Sequence, residues 1–228
     1  MGFRLTIGRK IGLGFGIVLF LFIAASVLTT LTLNESREKT DQVTSVYNPS
    51  VAALKDLENL VNRSKLLITK WYYVQTGENN VDKAALNKLL NEEYPALKAR
   101  IKKYALHWSH EEQESIDIIL SMIEVMFESY HNDVMQKLNS FEAYNDSNIK
   151  FEALIPFEEL DVKFHAIHQN LGSIIAKQNS NASDNSNDML YSFNLLQKIV
   201  TWLGILLIIG GTVIAILTVR SIIRPMQS

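Results

Sequence analysis

The stretch IVTWLGILLIIGGTVIAILTVRSIIRPMQS occupies residues 199–228. From Ile199 to Val219 it carries no charged residue, and then Arg220 and Arg224 follow, with Pro225 between the last arginine and the end. At about 1.5 Å per helical residue the uncharged run is long enough to cross a hydrocarbon core of roughly 30 Å. Ile11 to Leu33 is a second run of the same kind. Between them lies a polar segment, Asn34 to Lys198, long enough for one domain with its own core.

Charge orients the pair. Arg4, Arg9 and Lys10 precede the first span, Arg220 and Arg224 follow the second, and neither end holds an acid. The positive-inside rule therefore predicts cytoplasmic residues 1–10 and 220–228, spans at 11–33 and 199–219, and an extracytoplasmic domain at 34–198. That domain holds all 24 acids and, with five of the 22 basic residues outside it, 17 of the bases, a formal charge of −7. Such a charge, with no basic-aromatic stripe, excludes nucleic acid as a partner. Ala24–Ala25–Ser26 resembles a cleavage site, but the apolar run outlasts the 7–15 residues of a signal peptide core, so a retained anchor is expected. The chain has no cysteine, so in an oxidising compartment the domain relies on packing rather than disulfides.

Within 34–198 glycine and proline are scarce and apolar residues recur at 3-4 spacing. Leu54, Leu57, Val61, Ser64, Ile68 and Trp71 form one seam. Leu90, Tyr94, Leu97, Ile101, Tyr104 and Trp108 form a second. The third runs Ile116, Ile119, Ile123, Met126, Tyr130, Val134, Leu138 and Phe141, and the fourth Phe157, Leu160, Phe164, Ile167, Leu171 and Ile174. Four amphipathic helices predict an all-α, up-down antiparallel four-helix bundle. Gly77-Glu78-Asn79-Asn80 predicts a glycine C-cap for the first helix, Ser109 with Glu112 a capping box for the third, and Asn145–Asn148 a turn before the fourth. Pro49 and Pro95 lie inside helical patterns and predict kinks or local unwinding.

Helix lengths bear on assembly. The first helix outruns the second by about a dozen residues, or roughly 18–20 Å, so near the membrane one chain offers only two helices. A homodimer through these membrane-proximal helices would supply four. The stretch QNSNASDNSND, residues 178–188, is read as a polar continuation of the fourth helix with Gln178, Asn181 and Asn185 in its seam. A linker is the alternative.

Few residues suggest catalysis or cofactors. IGLGFG, residues 11–16, lacks the spacing of a nucleotide loop; Gly12 and Gly16 instead suit helix packing in the membrane. Glu128 with His131 makes one Glu-x-x-His pair where a di-metal bundle needs two, and Glu158, Asp161, His165 and His168 share a solvated face. No hydrolase elbow, Walker loop or cysteine nucleophile is present, so no enzyme, metal or cofactor is expected. NRSKLLITKWYY, residues 62–73, combines cations with aromatics and suits an anionic or amphipathic small ligand.

The basic N-terminus, KIGLGFGIVLFLFIAA at residues 10–25, the helical middle segment, the second span and RSIIRP at residues 220–225 resemble bacterial transmembrane chemoreceptors and related sensor kinases. The middle segment looks like the four-helix-bundle ligand-binding domain of methyl-accepting chemotaxis proteins, and SIIRPMQ looks like the opening of a HAMP linker. The resemblance implies a homodimeric inner-membrane receptor that relays a small-molecule or protein ligand to a cytoplasmic output module. By position it implies ligand contacts at Arg63, Ser64 and Lys70, beside which Trp71 and Tyr73 complete the candidate site. The amides at Gln178, Asn181 and Asn185 stand in the seam where apolar residues would be expected, so this zone is expected to pack weakly, tolerate two helix arrangements and relay the signal; the resemblance adds Pro225, at the entrance to the HAMP linker, to that relay. The alternative is a structural or assembly membrane protein whose bundle binds another protein.

Overall fold

The computed structural model describes residues 7–77 and 79–226 and, within these, the side chains of 12, 14–77, 79–216, 219 and 220. Arg4, Glu78, Gln227 and Ser228 lie outside the described residues; for Arg9, Lys10, Arg224 and Pro225 the helical backbone alone is described. Among the described residues there is no strand. The helices are α1 (Ile7–Gln42), α2 (Asn48–Tyr73), α3 (Val81–Lys88), α4 (Tyr94–Ala105), α5 (His110–Ser129), α6 (Phe141–Asn145) and α7 (Ser147–Met226). Three π-helical turns, Val43–Tyr47, Leu89–Glu93 and Tyr130–Met135, follow α1, α3 and α5. The chain forms two compact units: one comprises the residues up to Gln42 and from Asp184 onward, the other Val43–Ser183.

The unit Val43–Ser183 is built on the predicted seams. Leu54, Leu57, Val61, Ile68, Ile101, Ile116, Ile123, Met126, Ile167 and Leu171 are all buried in one continuous core. Each such side chain contributes about 1.5–3 kcal/mol by leaving water, so the 3-4 spacing is what holds α2, α4, α5 and α7 together. Ion pairs flank the core: Arg100 with Asp56, Lys98 with Glu124 and Lys102 with Asp117.

Prolines set the local irregularities. Two of the π-turns end immediately before Asn48–Pro49 and Tyr94–Pro95. A proline has no N–H for the carbonyl four residues back and its ring collides with that carbonyl; widening the preceding turn moves the carbonyl aside. The extra residue shifts the register. Leu89, not the expected Leu90, is fully buried, and the next inward residue, Tyr94, comes five positions later. Pro156 is tolerated inside α7 differently: the Glu152 carbonyl, left without the proline's N–H, accepts from Lys137 Nζ at 3.4 Å.

Several ends differ from expectation. α2 stops at Val74, which turns extended while its N–H still reaches the Lys70 carbonyl, so Gly77 is not its cap, and no described glycine has a positive φ. Asn80 instead caps α3, accepting from the N–H of Asp82 and Lys83. The Ser109–Glu112 capping box is present as expected. Phe141, expected in the third seam, is exposed, because the chain has already left the helix after the third π-turn and restarts at the Ser140 cap.

In the other unit, α1 and the C-terminal part of α7 lie side by side. Lys39 pairs with Asp188 at 3.5 Å and Thr40 Oγ1 meets Met189 Sδ. Ser36 and Ser192 are buried there, so small residues set the approach, and Phe193 is exposed. Gly14, rather than Gly12 or Gly16, meets the opposite helix: a Cβ on Gly14 would stand 3.2 Å from Ile214, whereas Gly12 and Gly16 have nothing near. At 100° per residue, Gly12 and Gly16 turn away from the face that Gly14 presents. Two helices are long and apolar enough to cross a membrane, and none of their apolar windows is buried. Phe15, Phe20, Leu31, Trp202 and Ile208 point outward, unlike the side chains of a soluble protein's core helix.

Candidate functional site

The five residues expected to bind ligand are carried by one helix but face different neighbours. Arg63 bonds Glu93 at 2.9 Å across to the second π-turn. Ser64 is buried, donates to the Val61 carbonyl and lies 3.4 Å from the Tyr130 hydroxyl. Lys70 bridges both carboxylate oxygens of Asp82 at 3.1 and 3.2 Å. Tyr73 is 62% exposed and packs edge-on to Tyr72 and Phe157. Trp71 alone of the five lines a cavity at the end of the unit that carries the α2–α3 connection. Arg63 lines a separate groove of about 460 Å³ with Arg100, Asp56 and Glu93, where each guanidinium already has its own carboxylate. Lys65 also has a partner: it bonds Asp161 at 2.5 Å and lies over the Phe164 ring. That bond holds the Asp161 carboxyl below its usual range. A helix exposes a new direction every 100°, so proximity in sequence did not make these residues one site.

The Trp71 cavity measures about 360 Å³ and is lined by α2, α3, the third π-turn and the chain after it. Trp71 Nε1 donates to the Leu138 carbonyl at 2.8 Å, and Tyr144 Oη donates to the Trp71 carbonyl at 2.5 Å. Lys83, only 2% exposed, donates to the carbonyls of Thr76 and Leu138 at 2.9 and 3.1 Å and stands over the rings of Trp71 and Tyr144. Lys83 was missed by the sequence reading. Its signal was the seam itself, since it occupies the inward position one turn before Leu86. Burial pushes the hydroxyls of Tyr130 and Tyr144 up to about 12 and that of Tyr94 higher still, so all three stay neutral hydrogen-bonding groups in the core.

The polar stretch at 178–188 is helical throughout, as part of α7, and not a linker. Its three seam amides differ. Gln178 is fully buried, and neither amide atom has a hydrogen-bond partner in the protein. Asn181 Nδ2 donates to Glu112 Oε1 at 2.7 Å. Glu112 is itself buried and accepts the Ser109 N–H and hydroxyl at 2.9 and 2.8 Å, so one carboxylate joins the start of α5 to α7. Asn185 is half-buried and belongs to the other compact unit. Pro225 lies in the last turn of α7.

No protein-family profile, characterised protein or solved structure matches this chain.

Proposed function

We propose that this chain is the sensory and membrane-spanning part of a bacterial receptor of the chemoreceptor or sensor-kinase type. In this reading 34–198 is extracytoplasmic, both ends are cytoplasmic in the inner membrane, and α2, α3–α4, α5 and α7 pack as an antiparallel four-helix bundle. The observation that carries it is α7, a single helix from Ser147 to Met226. It contributes Leu160, Ile167 and Leu171 to the bundle core and then forms the apolar run at 199–219. A helix that is both a wall of the ligand-responsive core and the membrane span transmits small displacements, of about 1–2 Å, to the cytoplasmic side. The unpaired amide at Gln178 favours such movement, because a core that leaves a polar group unpaired is weakly committed to one arrangement.

A homodimer through α1 and the C-terminal part of α7 belongs to the same reading. There one chain supplies only two helices, and Leu190, Tyr191, Phe193 and Leu195 remain exposed. The test is a chimera carrying residues 1–226 ahead of a histidine-kinase output module. Single-residue insertions between 190 and 198 rotate the downstream helix by about 100° each and are expected to switch output with helical periodicity. Output indifferent to such insertions refutes the receptor reading, as does a topology reporter at Asn145 found in the cytoplasm.

A further inference from the structure

We propose that the groove between α5 and α7 seats a basic amphipathic helix contributed by a partner protein. The groove is apolar along its middle and acidic at its edges.

A helix on the outside of a bundle ordinarily turns polar residues to solvent. Here Ile118 and Val125 on α5, and Ile155 and Val162 on α7, are between 52% and 73% exposed. They flank one groove. Ile118 lines a concavity of about 290 Å³ between the two helices, with Ile119, Asn170, Ser173 and Ile174 among its other walls. Val125 follows Ile118, and Val162 follows Ile155, at a spacing of about two turns, so each pair keeps one face. Ile155 precedes Ser173 by about five full turns and therefore shares its direction on α7. Beyond the concavity the helices stay side by side: Asn170 Nδ2 lies 3.6 Å from Met122 Sδ, and Lys163 Nζ donates to Ser129 Oγ at 2.9 Å.

Charge selects the occupant. α5 carries Glu111, Glu112, Glu114, Asp117, Glu124 and Glu128 and no lysine or arginine. Asp117 and Glu124 are paired with Lys102 and Lys98 of α4, and Glu112 is buried and bonded, so these three are engaged within the fold. Glu111 and Glu128, and Glu159 on α7, have no partner among the described residues, and Glu114 meets only His110, at 3.2 Å. Two lysines stand on the same side of α7: Lys163, bonded to Ser129, and Lys177, at the end of the groove that Glu111 also lines. Four carboxylates against two ammonium groups leave the edges negative.

An amphipathic helix answers both features at once: its apolar face covers the four exposed side chains and lysine or arginine on its flanks meets the carboxylates. A second copy of this chain carries the wrong sign. Its own segment 34–198 has a formal charge of −7, and Lys98, Arg100 and Lys102 of its basic helix α4 already have carboxylate partners. A helix in this groove touches α5 and α7 together, so its presence bears directly on how α7 packs.

The inference rests on the receptor reading for its biological meaning and names the class of ligand, but binding is measured without signalling. The probe is a fluorescein-labelled peptide of leucine and lysine, about five helical turns long, with the leucines on one face. It is titrated by fluorescence anisotropy against the full chain in phosphatidylcholine nanodiscs, and the signal from empty nanodiscs is subtracted. Saturable binding is expected below about 100 μM, about tenfold tighter than for the same leucine face carrying glutamates or for a scrambled sequence with no apolar face. Ile118→Ser with Val162→Ser should weaken it about tenfold without changing the melting temperature, since both side chains are exposed. Glu111→Gln with Glu128→Gln should weaken it and flatten its salt dependence, whereas Lys177→Ala should tighten it by about threefold. Leu66→Ser, an exposed apolar position on α2, should change nothing. No saturable binding up to about 100 μM overturns the proposal. So does equal binding by the glutamate peptide, binding indifferent to Ile118→Ser with Val162→Ser, weaker binding by Lys177→Ala, or a Val125→Cys protein that crosslinks to a second copy in membranes. Binding that obeys these rules while the output of the chimera ignores the peptide upholds the surface and counts against the receptor reading alone.

Discussion

Replacing Gln178 by leucine is expected to stabilise the unit Val43–Ser183. The amide is fully buried and both its polar atoms lack a partner in the protein. A buried polar group left unpaired forfeits its hydration, about 1–3 kcal/mol. Leucine is close in volume, so the seam neither collapses nor overpacks, and it loses less rotamer freedom on burial than glutamine. The expected gain is therefore about 1–3 kcal/mol, or an upward shift of roughly 3–10 °C in Tm for a unit of this size. Asn181→Leu should go the other way by a similar amount, because it strands Glu112 Oε1, whose bond to Asn181 is 2.7 Å. The two residues are one helical turn apart and are expected to couple, so the double variant tests additivity as well. Thermal and urea unfolding of the full chain in detergent gives all four values of the cycle. A Gln178→Leu protein that melts below the parent refutes the reasoning, as does an Asn181→Leu protein stabilised as much as Gln178→Leu. In the chimera described above, Gln178→Leu should also hold output in one state.

Alkaline conditions should unfold the protein in a defined window. Burial raises Tyr130 and Tyr144 to about 12, above the value near 10 that they take when unfolded, so their contribution is complete below pH 10 and is lost as pH climbs through about 12. Urea midpoints that stay level from pH 9 to 12 would contradict this. Pro156→Ala restores an N–H to the helix opposite the Glu152 carbonyl; because Lys137 already satisfies that carbonyl in part, the gain should be about 1–3 kcal/mol rather than the full helix-interior proline penalty, and a lower Tm would count against it. Cysteines at Thr40 and Met189 should join within one chain, since those side chains touch, whereas a cysteine at the outward Glu38 should crosslink two chains in membranes. A Glu38→Cys protein that stays monomeric under oxidation, while the Thr40–Met189 pair closes, would remove the homodimer from the proposed function.

Hydropathy and periodicity alone determined that this chain is helical, where its two apolar helices lie, and which residues face inward along most of α2, α5 and α7. Those properties depend on one repeat of 3.6 residues and on the free energy of removing apolar groups from water, both local or additive along the chain. The Ser109–Glu112 cap was legible for the same reason, being complete within four residues. Tertiary structure decided what a period cannot carry: which neighbour meets each polar group. Arg63, Ser64, Lys70, Trp71 and Tyr73 read as one site and are distributed around α2, each toward a different element. Gln178 and Asn181 read alike, and only the approach of Glu112 from α5 makes one satisfied and leaves the other unpaired. Two prolines announced irregularity, but the exchange of Leu90 for Leu89 in the core followed from the widened turn that their missing N–H groups required. Lys83 drew no notice in the sequence, and the carbonyls of Thr76 and Leu138, brought together by the folded chain, help to give its ammonium a place inside.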